Sequence, residues 1–201
     1  MFNDRAAVPA TIVFISRDGQ VGGCSVPFGE LLSDPAKVCR RTPTSSMQKV
    51  ELIEELVSGI DDTRSDAHRL LCQKAALMLD EMLENAFFAA PRDVEGRALF
   101  TKGTCRSLLP TEAVTLSYCF DGQRLVLEVR DSWGTLTPER LFSCLALNVA
   151  EQEPDAERAG RGLFFMWRLM DQLYVSIDPG RETTVGGCLL LNETAAECCR
   201  L

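Results

Sequence analysis

Three short stretches of the sequence contain side chains that could act together chemically. In DEMLENAFFAA, residues 80–90, Glu81 and Asn85 are four residues apart, so a helix would project both to the same side. A carboxylate and an amide oxygen placed in this way can bind a hard cation and orient a water or a hydroxyl group. Asp80 and Glu84 have the same spacing, and periodicity alone does not decide between the two pairs. The alternative is that these acids are solvated charges of an exposed helix face.

The second stretch, LEVRDSWGTL, is an apolar strand that ends on a carboxylate. Asp131 could accept a hydrogen bond from an amino group such as that of adenine. Gly134 would let the backbone approach a ligand closely. The alternative is a surface turn in which Asp131 caps its own loop and Trp133 packs into the core.

The third stretch, AGRGLFFMWRL, places glycines just before a predicted helix. Glycines at these positions expose the backbone N–H groups of a helix N-terminus, which favours phosphate, and Arg161 could add positive charge. Glycines also serve simply as loop punctuation, and a single GxG pattern does not separate these two interpretations.

Composition limits the kinds of protein that the chain can be. Its 201 residues are 46% apolar and 25% charged, which predicts one folded domain with a packed core, with or without an extension. The net charge of -8 argues against a nucleic-acid partner, because phosphate backbones are bound by clustered Lys and Arg.

The nine cysteines include no CxxC pair, and their odd number and irregular spacing fit neither a zinc site nor a disulfide framework. Free thiols are typical of the reducing cytosol. The N-terminal MFNDRAAVPATIVFIS matches neither a signal peptide nor a transmembrane helix. We therefore expect a cytoplasmic protein without a membrane partner.

The hydrophobic pattern predicts an α+β fold in which helices cover one face of a mixed, mostly antiparallel sheet. The clearest helix is capped by Asp66 and ends before Pro91, and the clearest hairpin joins AVTLSYCF to RLVLEVR through Asp121-Gly122-Gln123. Residues 28–43 and 92–112 are predicted as largely irregular, although ALF could be a short strand, and 151–160 as a mobile loop. The remaining predicted elements are strands at 11–15 and 21–26, helices at 47–59, 137–147 and 162–171, and closing strands LYVSI and CLLL.

The order of these features resembles the GHKL (histidine kinase-like) ATPase superfamily. The shared order is a helix with ExxxN, a strand ending in an aspartate turn, a lid-like loop, GxG opening a helix, and a strand pair with Thr-Thr, over roughly residues 45–191. Within it the chain is most similar to the anti-sigma-factor serine kinases, through its GRGLxxM-like helix start, short lid and compact ending. The resemblance implies a Bergerat-type helix-on-sheet sandwich at 45–195, preceded by an N-terminal extension with short strands at 1–44 and followed by a tail at 196–201.

The resemblance also implies a site and a reaction. Its cofactors would be ATP and Mg²⁺, and its activity would be phosphorylation of a serine or threonine on a protein partner in a partner-switching system. That partner would be an anti-sigma antagonist or a sigma-factor-like protein. The resemblance also allows a homodimer, for which the TIVFI strand is a candidate edge. The implied roles are general base for Glu81, magnesium ligand for Asn85, adenine reader for Asp131, phosphate contacts for Gly160, Arg161 and Gly162, and support of the adenine-binding carboxylate for Thr184.

Several positions depart from the superfamily pattern. Trp133 and Thr135 stand where the aspartate box DxGxG has glycines, Ala89 replaces the usual histidine, and Phe164 interrupts GxGLG. These departures favour an alternative function, a noncatalytic interaction module that keeps the fold but binds nucleotide weakly or not at all.

Overall fold

A seven-stranded sheet is the central element of the protein. The computed structural model describes residues 11–16, 21–22, 31, 37–60, 65–146 and 161–192. The strand order is β2-β1-β6-β7-β5-β4-β3, and every pairing between the described strands is antiparallel. The strands are β1 Thr11–Ser16, β2 Val21–Gly22, β3 Cys39–Arg41, β4 Val114–Phe120, β5 Arg124–Asp131, β6 Gln172–Asp178 and β7 Glu182–Leu190.

The helices of the described ranges begin at hydroxyl caps where the sequence offers them. Ser65 caps the long helix by accepting the N–H of Ala67 at 3.1 Å, so the predicted cap, Asp66, is instead its first residue, where a negative charge favours the helix dipole. Thr137 caps a helix that has Pro138 in its first turn, as predicted. The helices are α1 Lys49–Ile60, α2 Asp66–Glu84, α3 Pro138–Leu145 and α4 Arg161–Leu169, and α2 continues into a π-helical turn, Asn85–Ala89.

The main core lies between these helices and one face of the sheet. Alternate residues of β5, Leu125, Leu127 and Val129, point to this face and are at most 3% exposed. They meet the buried stripe of α2, which includes Met78 and Leu83. The structure therefore confirms the α+β class, the antiparallel character of the sheet and the packing of helices against one of its faces.

The opposite face of the sheet carries a smaller buried cluster. Leu31, Val126 and Cys188 pack there around Tyr174, whose hydroxyl donates a hydrogen bond to the carboxylate of Glu128. A side chain at position 186 would collide with the Tyr174 ring, which explains the glycine there. Strands β1 and β6 pair along six residues, so the extension predicted at 1–44 contributes strands to the same sheet.

Two strands differ from the prediction. β3, Cys39–Arg41, lies in a segment predicted as a loop, because it is a short, charged edge strand whose pattern is too brief to recognise. β7 begins at Glu182 and not at Cys188, because Gly186 and Gly187 interrupt its apolar run. ALF forms only an isolated bridge between Arg92 and Ala98, and the loop predicted at 151–160 lies outside the described residues. Within the described ranges no helix has both the length and the apolar composition needed to cross a membrane.

Candidate functional site

A cavity of about 310 Å³ opens on the helix-covered side of the sheet, where β5 and β7 meet the π-helical turn. π-helical turns are often found at functional sites, and this one brings Phe88 and Ala89, followed by Ala90, to the cavity wall. The other lining residues are Asn85, Arg92, Ala98, Phe100, Lys102, Asp131, Thr135, Leu136, Arg140, Cys144, Leu163, Thr183 and Val185.

Asp131 is one of the polar residues that line this cavity. The alternation that buries Leu125, Leu127 and Val129 carries the last residue of β5 to the same side, where Asp131 is only 7% exposed. Burial raises the pKa of Asp131 from its ordinary value of 3.8 to about 7, although backbone N–H groups, including that of Trp133 at 2.9 Å, favour the charged form. A buried carboxyl group that titrates near neutral pH is typical of binding and catalytic sites.

Thr183 lies directly opposite Asp131 in the β5–β7 pairing and points to the same cavity. It is 3% exposed, and its hydroxyl is buried without a hydrogen-bond partner. The resemblance implies Thr184 for the supporting role, but Thr184 pairs with Arg130 and Ser176, does not line the cavity and projects to the opposite face. The threonine beside the carboxylate is therefore Thr183.

Asn85 marks a different part of the cavity, beside Glu81 and the start of α4. A methyl group added to Gly162 would lie 2.4 Å from Oε2 of Glu81 and 3.6 Å from Nδ2 of Asn85. The absence of a side chain at 162 therefore lets the helix start approach both groups. The structure thus brings Gly162 next to Glu81 and Asn85, although its motif is far from theirs in the sequence.

The competing pair, Asp80 and Glu84, faces another direction. Both carboxylates bind the ammonium group of Lys49 from α1, at 2.9 Å and 2.5 Å respectively. Burial lowers the pKa of Lys49, but its hydrogen bonds to these two acids outweigh that effect and the net shift is upward. Asp80 and Glu84 therefore join two helices, whereas Asn85 lines the cavity and Glu81 lies beside Gly162, outside the cavity lining.

Gly134 holds the loop after β5 against the turn between β6 and β7. Its φ is +58°, and an added methyl group would lie 2.3 Å from the carbonyl oxygen of Asp178. Its own carbonyl accepts the N–H of Gly180 at 2.9 Å. The close backbone approach that this glycine permits is thus to a neighbouring turn, and Gly134 does not line the cavity in the described part of the chain.

Trp133 is not among the residues that line the cavity. Its ring lies 5.8 Å from the guanidinium carbon of Arg106, which is buried and stacks on Phe100 at 3.8 Å. Arg106 donates to the carbonyl oxygen of Phe87 at 2.6 Å and forms an ion pair with Glu112. Arg106 therefore ties the π-helical turn to one wall of the cavity, and the Trp133 side chain packs beside it without lining the cavity.

Of the remaining predicted residues, Arg161 falls in the described part of the chain, at the start of α4. Arg161 is its first residue and is half-buried, and Leu163 lines the cavity. Gly160 lies outside the described residues.

Three basic residues of the cavity have no counterpart in the sequence motifs. Arg92 and Lys102 come from the segment after the π-helical turn, and Arg140 comes from α3. They are far apart in the sequence and follow no shared periodicity, so only the folded chain shows that they share a cavity. Cys144 lines it as well, and burial raises the pKa of its thiol.

The side chains of the described cavity do not form a complete metal site made of protein ligands alone. Across the described ranges, no three or more His, Cys, Asp or Glu side chains come together as a metal-binding group. No family model matches this chain, and no curated protein matches its sequence significantly.

Proposed function

We propose that the protein binds ATP with Mg²⁺ and transfers the terminal phosphoryl group to a serine or threonine of a protein partner, as an anti-sigma-type regulator. One observation carries this proposal. Asp131 and the unpartnered hydroxyl of Thr183 lie side by side on the wall of a cavity whose lining also includes Asn85, next to Glu81 and Gly162. The arrangement of helices on one face of an antiparallel sheet supports assignment to the histidine kinase-like ATPase fold.

Asp131 and Thr183 are suited to recognising the edge of adenine. The base presents an amino donor beside a ring-nitrogen acceptor, and a carboxylate and a hydroxyl offer the matching acceptor and donor. Apolar lining groups, including Phe88, Leu163 and Val185, would contact the faces of the ring. A hydroxyl buried without a partner costs free energy, and a ligand that bonds to it removes that penalty.

The other group of residues is suited to phosphates. Gly162 and Arg161 begin α4, where backbone N–H groups and the helix dipole favour an anion. Mg²⁺ bound to nucleotide phosphates needs only one or two protein oxygens, so Asn85 alone fits as its protein ligand, and the ion would neutralise phosphate charge. Glu81 lies next to Asn85 and can accept the proton of the attacking hydroxyl group.

The cysteines support a cytoplasmic location for this regulator. Those of the described ranges form no disulfide, and four of them are buried as small apolar groups.

Calorimetric titration with ATP and Mg²⁺ tests the binding site. We expect micromolar affinity for the natural chain and a loss of at least about 100-fold for an Asn85→Ala, Asp131→Asn double variant, because two contacts to charged or metal-bound groups disappear. The matched control is Asp80→Asn, Glu84→Gln, which changes two acids on the other face of the same helix and should bind ATP normally. Unchanged affinity in the first double variant would show that this is not the nucleotide site.

The alternative is a noncatalytic module of the same fold. Its motivation is Trp133, yet that side chain packs beside Arg106 and does not line the cavity. Measuring phosphate release from ATP distinguishes the two functions. ATP binding without any ATP turnover or protein phosphorylation would favour the noncatalytic module.

A further inference from the structure

The cavity has polar groups at two different depths. Asp131 and Thr183, which lie side by side on β5 and β7, are only 7% and 3% exposed. Arg92 is half-buried, Lys102 and Arg140 are exposed, and all three line the same cavity. The groups proposed to bind adenine are therefore buried, and the basic side chains lie where the cavity meets solvent.

The three basic side chains, here called the cationic cluster, are not neutralised by nearby acids. Within the described ranges none of them forms an ion pair, and the acids that follow Arg92 in the sequence, Asp93 and Glu95, both bind Arg97. Arg92 itself donates to a backbone carbonyl oxygen at 2.6 Å. Burial and the neighbouring charge of Arg140 both lower the pKa of Arg92. An anion bound beside these side chains would relieve their repulsion.

The cavity is thus basic although the protein is acidic. Asp131 is the one carboxyl group among the described residues that line it, and burial raises the pKa of Asp131 to about 7. The chain as a whole carries a net charge of -8. Positive charge concentrated in a cleft attracts anions, and the anionic part of the proposed ligand is the phosphate chain of ATP.

We propose that the cationic cluster binds the phosphate chain of ATP directly, so that ATP binds to the protein without Mg²⁺. This inference rests on the proposed function. Nucleotide-bound Mg²⁺ is usually held by one or two protein carboxylates, whereas the protein ligand proposed for it here is the neutral amide oxygen of Asn85, which lines the cavity together with the cationic cluster. A neutral ligand adds little to the affinity for the magnesium complex. The chain itself neutralises the phosphate charge, and free ATP, which is more negative than its magnesium complex, keeps its affinity.

Calorimetric titration with ATP, once in EDTA and once in Mg²⁺, tests this inference. For the natural chain we expect the two dissociation constants to agree within about threefold. An Arg92→Gln, Arg140→Gln variant should bind ATP at least about 100-fold more weakly in EDTA, the effect of two lost bonds between charged groups. Its loss in Mg²⁺ should be smaller, because the ion then replaces part of the missing positive charge, so ATP binding becomes magnesium-dependent.

Two controls accompany this variant. Adenosine has no phosphate, so it should bind the natural chain and the Arg92, Arg140 variant with affinities that agree within about twofold, which reports an intact cavity. The charge-matched Arg40→Gln, Arg69→Gln variant changes two exposed arginines outside the cavity lining and should keep the natural affinity for ATP in EDTA.

Each other result overturns the inference in a distinguishable way. If EDTA abolishes ATP binding to the natural chain while the magnesium complex still binds, the inference is wrong and the proposed function stands. If the Arg92, Arg140 variant binds ATP in EDTA as well as the natural chain does, the cationic cluster does not contact the phosphates. If neither adenosine nor ATP binds, with or without Mg²⁺, to a chain whose thermal unfolding is normal, the proposed function fails together with the inference.

Discussion

Two faces of α2 carry similar acidic side chains in opposite environments. Asp80 and Glu84 share the ammonium group of Lys49, and Glu84 is 13% exposed within that cluster. Glu81, one position along, lies instead against Gly162, beside Asn85, and forms no ion pair within the described ranges. A carboxylate that is paired with a lysine stabilises the fold, whereas a carboxylate without a bound cation is available to a ligand or a proton.

The strongest way to test this contrast is to remove the charge of Glu81 and of Glu84 separately. Glu81→Gln should slow ATP turnover by about 10²- to 10⁴-fold, the usual contribution of a general base, with little change in ATP affinity. Glu84→Gln should leave turnover nearly unchanged, because its carboxylate binds Lys49. Phosphate release under saturating ATP measures both. Equal slowing by the two substitutions would show that the two faces do not differ in function.

Like Glu81, Asp131 is a carboxyl group that forms no ion pair with a cation within the described ranges. Its folded pKa of about 7 exceeds the ordinary 3.8, so between these pH values the folded protein keeps a proton that the unfolded chain has released. The free energy of unfolding should therefore fall as pH rises from about 4 to about 7, by up to about 4 kcal/mol from this group. Asp131→Asn should remove that component, and urea unfolding across this pH range measures it.

The same titration should control binding of the base. An amino group donates best to the ionised carboxylate, so affinity should weaken as pH falls below about 7. Adenosine is the suitable probe because it has no phosphate that titrates. Its affinity should drop several-fold between about pH 8 and about pH 6 in the natural chain and stay level in Asp131→Asn. A level profile in the natural chain would argue against a contact between Asp131 and the base.

The elements of the site were more predictable from the sequence than its exact residues. The long helix and the β4–β5 hairpin have strong local periodicity, so Glu81, Asn85 and Asp131 could be placed on them. Thr183 could not be chosen over Thr184, because the apolar run after Gly187 has no alternation that sets which face of β7 is buried. The choice between the two acid pairs of α2 depends on Lys49, which belongs to another helix and leaves no local signal. Arg92, Lys102 and Arg140 meet only through tertiary folding.

Gly162→Ala tests the close approach between the start of α4 and Glu81, which distinguishes the Glu81 face of α2 from the Asp80 and Glu84 face. The three atoms nearest to the added methyl group all belong to the side chains of Glu81 and Asn85, and the flexible end of Glu81 can move. We expect ATP turnover to fall about tenfold as Glu81 and Asn85 are displaced, while the midpoint of thermal unfolding stays nearly the same, because alanine favours a helix. A large loss of stability with normal turnover per folded molecule would assign Gly162 a purely structural role.

We expect the smallest effect on stability and turnover from a change on the face of α2 that carries Asp80 and Glu84. Lys49→Met keeps the length and the apolar stem of the side chain but removes the charge that holds Asp80 and Glu84, which lie one turn apart. Because Lys49 and Asp80 are partly exposed, the loss of their ion pair and the remaining repulsion between the acids should reduce the free energy of unfolding by only about 1 kcal/mol. ATP turnover should stay within about twofold, since both carboxylates bind Lys49 and face away from Glu81 and Asn85. Urea unfolding and phosphate release on the same sample measure the two quantities. A loss of turnover without a loss of stability would mean that Asp80 or Glu84 acts in the reaction, and the functional distinction between the two faces of α2 would have to be abandoned.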